Sequence, residues 1–308
     1  MGKVAFVFPG QGSQSVGMGQ DLYNNSAKAK EIFDNADKSL GREISKICFE
    51  GPEEDLKLTI NTQPAILVTS VAALEALREK CDVVPAFVAG HSLGEYGALY
   101  AAGVIDFDTT MKLIDKRAFE MNAAAESTKG AMSAVIGMSE EDILSVIEPI
   151  QGVSVANYNS QAQIVITGEA EAVAKANDEL KANGAKRVVP LPVSGGFHSM
   201  LMKGASENFE KTVEQCCIHD AQIPVITNVD AQVTVESALF KDKMVKQIYS
   251  SVHWTQTVQK MVDSGVDTIV EIGPGKVLAG LVKKINPSIN VLNVFDTESL
   301  NVAIAALK

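Results

Sequence analysis

Two hydrophobic textures run through this chain. Residues 3 to 8, KVAFVF, form a short unbroken apolar run, the mark of a strand buried on both faces, and the glycine-rich loop PGQGSQSVGMG follows. Over 63–80, Leu67, Val71, Leu74 and Leu77 recur at helical spacing, and Arg78, Glu79 and Lys80 end that helix with charge. A second apolar run at about 85–90 leads into an alanine-rich helix, and a further helix is predicted over 107–126. Strands alternating with helices predict a parallel sheet covered on both faces.

Between Gly130 and Leu191 the texture changes. The segments AMSAVIGM, SEEDILSVIEPI, VSVANYN, AQIVITG, EAEAVAKANDELKANG and AKRVVPLP read as strand, helix, strand, strand, helix, strand. That is the order of a ferredoxin-like unit, two helices packed on a four-stranded antiparallel sheet. The first texture then resumes: a helix at 199–215, the strand IPVITNV at 223–229, a helix at 241–263, the strand TIVEIG and the helix KVLAGLVKKI. The expected fold is therefore α/β. A parallel-sheet, α/β-hydrolase-like catalytic domain of residues 1–128 and 194–308 is interrupted by an inserted ferredoxin-like α+β subdomain of residues 129–193, with a cleft at the junction.

Composition narrows the function classes. At 308 residues and 46% apolar content the chain can bury a large core. The net charge of −11 argues against nucleic acid, whose phosphates most of the surface would repel. No signal peptide is visible, and no apolar stretch is read as long enough to cross a bilayer, so a soluble cytoplasmic protein without a membrane partner is expected. Cys48, Cys81, Cys216 and Cys217 show neither a CxxC pair nor metal-ligand spacing and are read as reduced, structural thiols.

The chemistry concentrates at GHSLG, residues 90–94. A strand running straight into a helix forces a sharp turn, Gly90 and Gly94 leave room for it, and the Ser92 hydroxyl stands exposed beside the unpaired amides of a helix N-terminus. This is the mechanics of acyl transfer through a serine ester. Such a serine needs a base. His91 is its chain neighbour and diverges from it, while His219 and His253 resemble packing positions; His198, in SGGFHSM, follows a Gly195-Gly196 approach suited to presenting a side chain into a cleft. Spacing alone leaves the base open between His198 and His253. No aspartate for a triad is visible, and a carbonyl acceptor could orient the imidazole instead. Arg117, read alone, is a surface partner of Glu120. The loop GQGSQSVGMG fails the spacing of nucleotide-binding loops.

Taken together, FPGQGSQ at the N-terminus, TQPA at 62–65, GHSLGEY at 90–96, Arg117, GGFHS at 195–199 and EIGPGKVL at 271–278 resemble the malonyl-CoA:acyl carrier protein transacylase family over essentially the whole chain. The resemblance implies that malonyl passes from coenzyme A to Ser92 and then to the phosphopantetheine thiol of acyl carrier protein for fatty acid synthesis, without metal or cofactor. It implies His198 as base, the amides of Gln11 and Leu93 as oxyanion hole, and Arg117 as the grip on the malonyl carboxylate. Gln63 and Asn159 would line the cleft, Phe197 would crowd out branched acyl groups, and the Gln247 carbonyl would orient the histidine. Gly196 stands where alanine is usual in the family, and Met200 where proline is. A monomer is expected, with Lys186, Arg187, Lys283 and Lys284 as candidate contacts for an acidic carrier. The same nucleophile would also serve a polyketide loading acyltransferase or a serine thioesterase.

Overall fold

The computed structural model describes residues 2–193 and 195–308; Ser194, the expected start of the returning domain, and Met1 lie outside the described residues. Among the described residues, ten strands form two sheets. The larger contains β1 (Lys3–Phe8), β2 (Phe87–Gly90), β7 (Val225–Ile226), β8 (Val233–Thr234), β9 (Val266–Ile272) and β10 (Asn290–Val294), in the order β10-β9-β1-β2-β7-β8. All its pairings are parallel except that of β7 with β8. The smaller contains β3 (Gly130–Ile136), β4 (Val153–Ser160), β5 (Gln163–Glu169) and β6 (Arg187–Pro190), antiparallel throughout, in the order β4-β5-β3-β6.

Strand pleating explains the apolar runs. Val4, Phe6 and Phe8 of β1 enter the main core on one face, while Ala5 and Val7 enter a second cluster on the other, built around Trp254, Val258 and Leu281. A strand covered on both sides has no polar face to show. The smaller sheet buries Val135, Val155, Ile164 and Ile166 against Ile143, Val173 and Leu180 of its two helices. The smaller sheet is tied to the segment before Trp254 where Val252 bridges Asn157: Tyr158 N–H donates to the Val252 carbonyl at 2.9 Å, and Val252 N–H to that of Ala156 at 2.8 Å.

The structure departs from the sequence reading in several places. Helices at Gln20–Asn25, Ala27–Leu40, Ile44–Glu50 and Glu53–Lys57 occupy a stretch to which the sequence reading gives no element, and β10 and the helix Thr297–Leu307 follow the last predicted element. The helix expected over 63–80 spans Thr59–Arg78 and carries Pro64 inside it. Proline cannot donate to the Ile60 carbonyl one turn back, and the Arg42 guanidinium donates to that oxygen instead, at 3.0 Å. By length and a mean hydropathy of 1.2 this helix could cross a membrane, contrary to the sequence reading, but 89% of its apolar window is buried inside the fold. The helix expected over 199–215 is a short 3₁₀ turn, Met200–Met202, followed by Lys203–Val213. The strand expected over 223–229 pairs only through Val225 and Ile226. The helix expected over 241–263 is two, Ser237–Gln247 and Trp254–Asp263, and the break between them serves the site.

Candidate active site

β2 ends at Gly90 and the helix Gly94–Ala101 begins four residues later, so the chain turns through His91, Ser92 and Leu93. The two glycines are required by close approach. A Cβ on Gly90 would lie 1.9 Å from the Gly94 backbone, and one on Gly94 would lie 2.2 Å from the Phe8 carbonyl oxygen. Ser92 itself has φ 52°, left-handed and unfavourable for a residue with a Cβ, at a cost on the order of 1–3 kcal/mol.

His198 also stands at positive φ, 57°. Its segment is pinned by Thr167 Oγ1 donating to the Phe197 carbonyl at 2.8 Å and by Ser199 Oγ donating to the Gly196 carbonyl at 2.6 Å. The preceding glycines therefore serve contact rather than flexibility: a Cβ on Gly195 would meet that of Ala125 at 2.6 Å, and one on Gly196 would meet the Gly168 carbonyl oxygen at 2.9 Å. His198 Nε2 lies 2.8 Å from Ser92 Oγ. Its Nδ1 faces two carbonyl oxygens, of Gln247 at 2.9 Å and Ser250 at 3.1 Å, which only accept. The proton therefore sits on Nδ1, and the Nε2 lone pair faces the hydroxyl.

Both carbonyls come from the break after Gln247. Where the helix stops, the carbonyl of its last residue, Gln247, has no intrahelical donor and accepts from the imidazole instead, and the Ser250 carbonyl joins it from the turn that follows. No carboxylate is needed to orient it. Burial, and then the Arg117 cation, drive the His198 pKa down from its ordinary value to about 3, so the ring is neutral at physiological pH.

Arg117 is 1% exposed on the helix Phe107–Ser127, whose start is capped by Asp106 accepting from Thr109 N–H. The surface pairing with Glu120 does not form; Glu120 pairs with Lys116 at 2.6 Å. The guanidinium donates to Gln63 Oε1 at 2.6 Å, to Gln247 Oε1 at 3.0 Å and to Ser92 Oγ at 3.1 Å. Its Nε has no partner among the described residues. Gln247 Nε2 in turn donates to the Ser92 carbonyl at 2.9 Å.

These groups share a cavity of about 380 Å³, lined by Gln11, Gln63, His91, Ser92, Leu93, Arg117, Phe197 and His198, with Met121, Met132, Asn157 and Lys57 also on its wall. Among the described residues the amide hydrogens of Gln11 and Leu93 meet no acceptor within the protein. Asn159, expected on the wall, stands behind it, its Oδ1 2.8 Å from His91 Nε2, and Asn157 takes the lining position. His91 packs edge-on against Trp254, and burial lowers its pKa. His253 stacks on Tyr158, with ring centroids 5.0 Å apart, and His219 is exposed; neither lines the cavity. None of Lys186, Arg187, Lys283 and Lys284 lines it either, and Lys283 is engaged by the Ile289 carbonyl at 2.6 Å.

Sequence reasoning missed two contributors. The Ser250 carbonyl was hidden because a helix break has no sharp signal in KQIYSSVHW. Asn228 was hidden because its contacts with Gly90 and Ser92 span more than a hundred residues of chain; its Oδ1 accepts from Ser92 N–H at 2.7 Å.

The sequence profile of the acyl transferase domain family matches residues 5–298. The malonyl CoA-acyl carrier protein transacylase of Bacillus subtilis strain 168 is 47% identical over 312 residues, covering 100% of this chain and 98% of that protein. Among solved structures, an acyl carrier protein S-malonyltransferase from Vibrio cholerae superposes with a TM-score of 0.95 at 43% identity, covering 98% of this chain and 99% of that one. A malonyl-transacylase solved in complex with its type II PKS acyl-carrier protein superposes with a TM-score of 0.96 at 41% identity, covering 99% of each chain. With the serine, imidazole and guanidinium gathered in one cavity and similarity running end to end, the chain belongs to the malonyl CoA-acyl carrier protein transacylases of the acyl transferase family.

Proposed function

We propose that this protein carries malonyl from malonyl-CoA to the phosphopantetheine thiol of an acyl carrier protein, by way of an ester on Ser92. The observation that carries this reading is the contact of one hydroxyl with both a neutral imidazole at 2.8 Å and a buried guanidinium at 3.1 Å. The imidazole removes a proton and the guanidinium selects a carboxylate-bearing acyl group.

In the first half-reaction His198 Nε2 takes the Ser92 proton as Oγ bonds to the thioester carbon. The carbonyl oxygen becomes an oxyanion, received by the free amides of Leu93 and Gln11, each such donor being worth about 3 kcal/mol of barrier. Collapse breaks the carbon–sulfur bond, and the imidazolium returns its proton to the departing coenzyme A thiolate. The second half repeats these steps with the carrier thiol as nucleophile, whose proton passes through His198 back to Ser92 Oγ.

Arg117 supports the selectivity, because a planar fork pairs a carboxylate at two points. Phe197, 6% exposed at the cavity wall, is the residue we assign to crowding branched acyl groups. The carboxylate also bears on the base. Arg117 is the second cause holding the His198 pKa down, so pairing its charge makes His198 more basic as the correct substrate arrives.

The strand order β4-β5-β3-β6 supports reading residues 129–193 as a ferredoxin-like insertion in an α/β-hydrolase-like domain of 1–128 and 194–308. The catalyst is proposed to act as a monomer in the cytoplasm, a setting supported by four free thiols. Likeness to the malonyl-transacylase solved with a type II PKS acyl-carrier protein favours one second reading, that the carrier belongs to a polyketide pathway. Chasing the acylated enzyme with holo-carrier proteins of each kind tests the proposal. Transfer to a carrier thiol supports it, the faster carrier identifies the pathway, and release of free malonate instead would mark a thioesterase.

A further inference from the structure

Asn228 lies two residues beyond β7, the strand beside β2, and is fully buried. Its side-chain amide faces the corner that carries the nucleophile and uses both ends. Oδ1 accepts from Ser92 N–H at 2.7 Å, and Nδ2 donates to the Gly90 carbonyl at 2.6 Å. The amide thus spans the peptides on either side of His91, continuing by side chain the ladder that β7 leaves at Ile226. A flipped amide would set NH₂ against N–H and oxygen against oxygen, so only one orientation fits.

Asn228 is itself held from two sides. Its backbone N–H donates to Glu95 Oε2 at 2.6 Å, and its carbonyl accepts from His253 N–H at 3.0 Å. Glu95 is buried three residues after the nucleophile, on the helix that Ser92 introduces. The contacts form a closed ring from the strand end through Asn228 to the following helix. Within that ring Ser92 keeps its left-handed conformation, and Oγ reaches both His198 and Arg117.

We infer that Asn228 is a positioning residue for acyl transfer: its amide clamps the Gly90 and Ser92 peptides and so fixes where the Ser92 hydroxyl stands relative to its base. Asn228 does not itself line the cavity and makes no hydrogen bond to the hydroxyl, so its effect falls on the rate of ester formation and not on substrate binding. The inference rests on the proposed role of Ser92 as nucleophile.

The experiment compares Asn228→Ala with Asp230→Asn. Asp230 anchors the same loop, pairing with Lys243 at 2.8 Å and accepting from Thr227 Oγ1 at 2.9 Å, without contact to Gly90 or Ser92. Two rates are read: single-turnover acylation of Ser92 by malonyl-CoA, and modification of Ser92 by a sulfonyl fluoride, which needs the nucleophile but not the carboxylate grip. Asn228→Ala is expected to slow both about 100-fold, the usual effect of an ångström-scale misplacement, with KM for malonyl-CoA within about 3-fold of wild type. Asp230→Asn is expected to keep both rates within about 3-fold even if its melting temperature falls.

Wild-type rates in Asn228→Ala would overturn the inference, as would an equal loss in Asp230→Asn, which would trace the effect to loop order. If Asn228→Ala does not fold, Asn228→Asp keeps the shape but sets a carboxylate oxygen against the Gly90 carbonyl; it is expected to be at least about 10-fold slower, and wild-type rates in it would equally overturn the inference. A wild-type protein that reacts with the sulfonyl fluoride but not with malonyl-CoA would instead refute the proposed function, leaving the Asn228 comparison to be judged on the first reagent.

Discussion

Replacing Arg117 by alanine separates selection of the acyl group from its transfer. In the free site the guanidinium is spread over Gln63, Gln247 and Ser92, and its Nε is unpartnered among the described residues. A malonyl carboxylate can take two of its donors, each charge-assisted bond being worth about 1.5–3 kcal/mol, or about 3–6 kcal/mol for the pair. At about 1.4 kcal/mol per tenfold, malonyl is favoured over acetyl by a factor of about 10²–10⁴ in kcat/KM. Arg117→Ala should remove that factor. The ratio of the two substrates is the proper readout, because the loss of packing and of the bonds to Gln63 and Gln247 affects both alike. Arg117→Lys restores a charge without the fork and should recover only part of the ratio. Carrier acylation is followed with malonyl-CoA and acetyl-CoA across a pH series. The alanine variant should also move the acid limb of the acetyl reaction upward, because one cause of the low His198 pKa is gone, yet keep it below 6.5, because burial, the larger cause, remains. A malonyl-to-acetyl ratio within about 3-fold of wild type would refute the assignment of Arg117.

Two further predictions concern stability. Gly94→Ala forces a Cβ to within 2.2 Å of the Phe8 carbonyl oxygen and 2.7 Å of that of Pro9; backbone cannot yield as a side chain would, and chemical denaturation should show a loss of more than about 2 kcal/mol. A loss below about 0.5 kcal/mol would show the corner to be looser than described. Burial raises the Glu95 pKa from an ordinary 4.5 to about 7 in the folded protein, so its contribution to stability is full below 4.5 and is lost as pH rises through 7. Melting curves of Glu95→Gln should therefore fall less than wild type between pH 4.5 and 7, while Glu271, also raised to about 7, is common to both proteins and cancels. Parallel curves would contradict this.

The sequence made the nucleophile legible because its corner is a local device: two glycines, one serine and the elements on either side all lie between Phe87 and Ala101. His198 and Arg117 were weaker from spacing alone. The features that decide their roles, a neutral imidazole facing two carbonyls and a guanidinium buried to 1% exposure, come from segments far apart in the chain. The helix pair after residue 237 read as one because Ile248–Val252 has no proline or glycine to mark the break; Val252 is instead drawn out of helix by bridging Asn157. The strand over 223–229 was overcalled because its apolar texture continues past Ile226, whereas Asn228 pairs through its side chain and ends the ladder. The helices Gln20–Asn25, Ile44–Glu50 and Glu53–Lys57 leave too few turns for a periodic stripe to stand out, whereas Ala27–Leu40 buries Ala29, Ile32, Phe33 and Ala36, a helical stripe that was legible in the sequence.

The central claim is that one alcohol, Ser92 Oγ, takes the acyl group under the control of His198. Intact-protein mass spectrometry after brief exposure to malonyl-CoA, with peptide mapping of the adduct, addresses it directly. Wild type should gain a single malonyl group on Ser92, Ser92→Ala none, and His198→Ala should acylate about 10⁴–10⁶-fold more slowly. An adduct that persists in Ser92→Ala, or that forms at the wild-type rate in His198→Ala, would contradict the account.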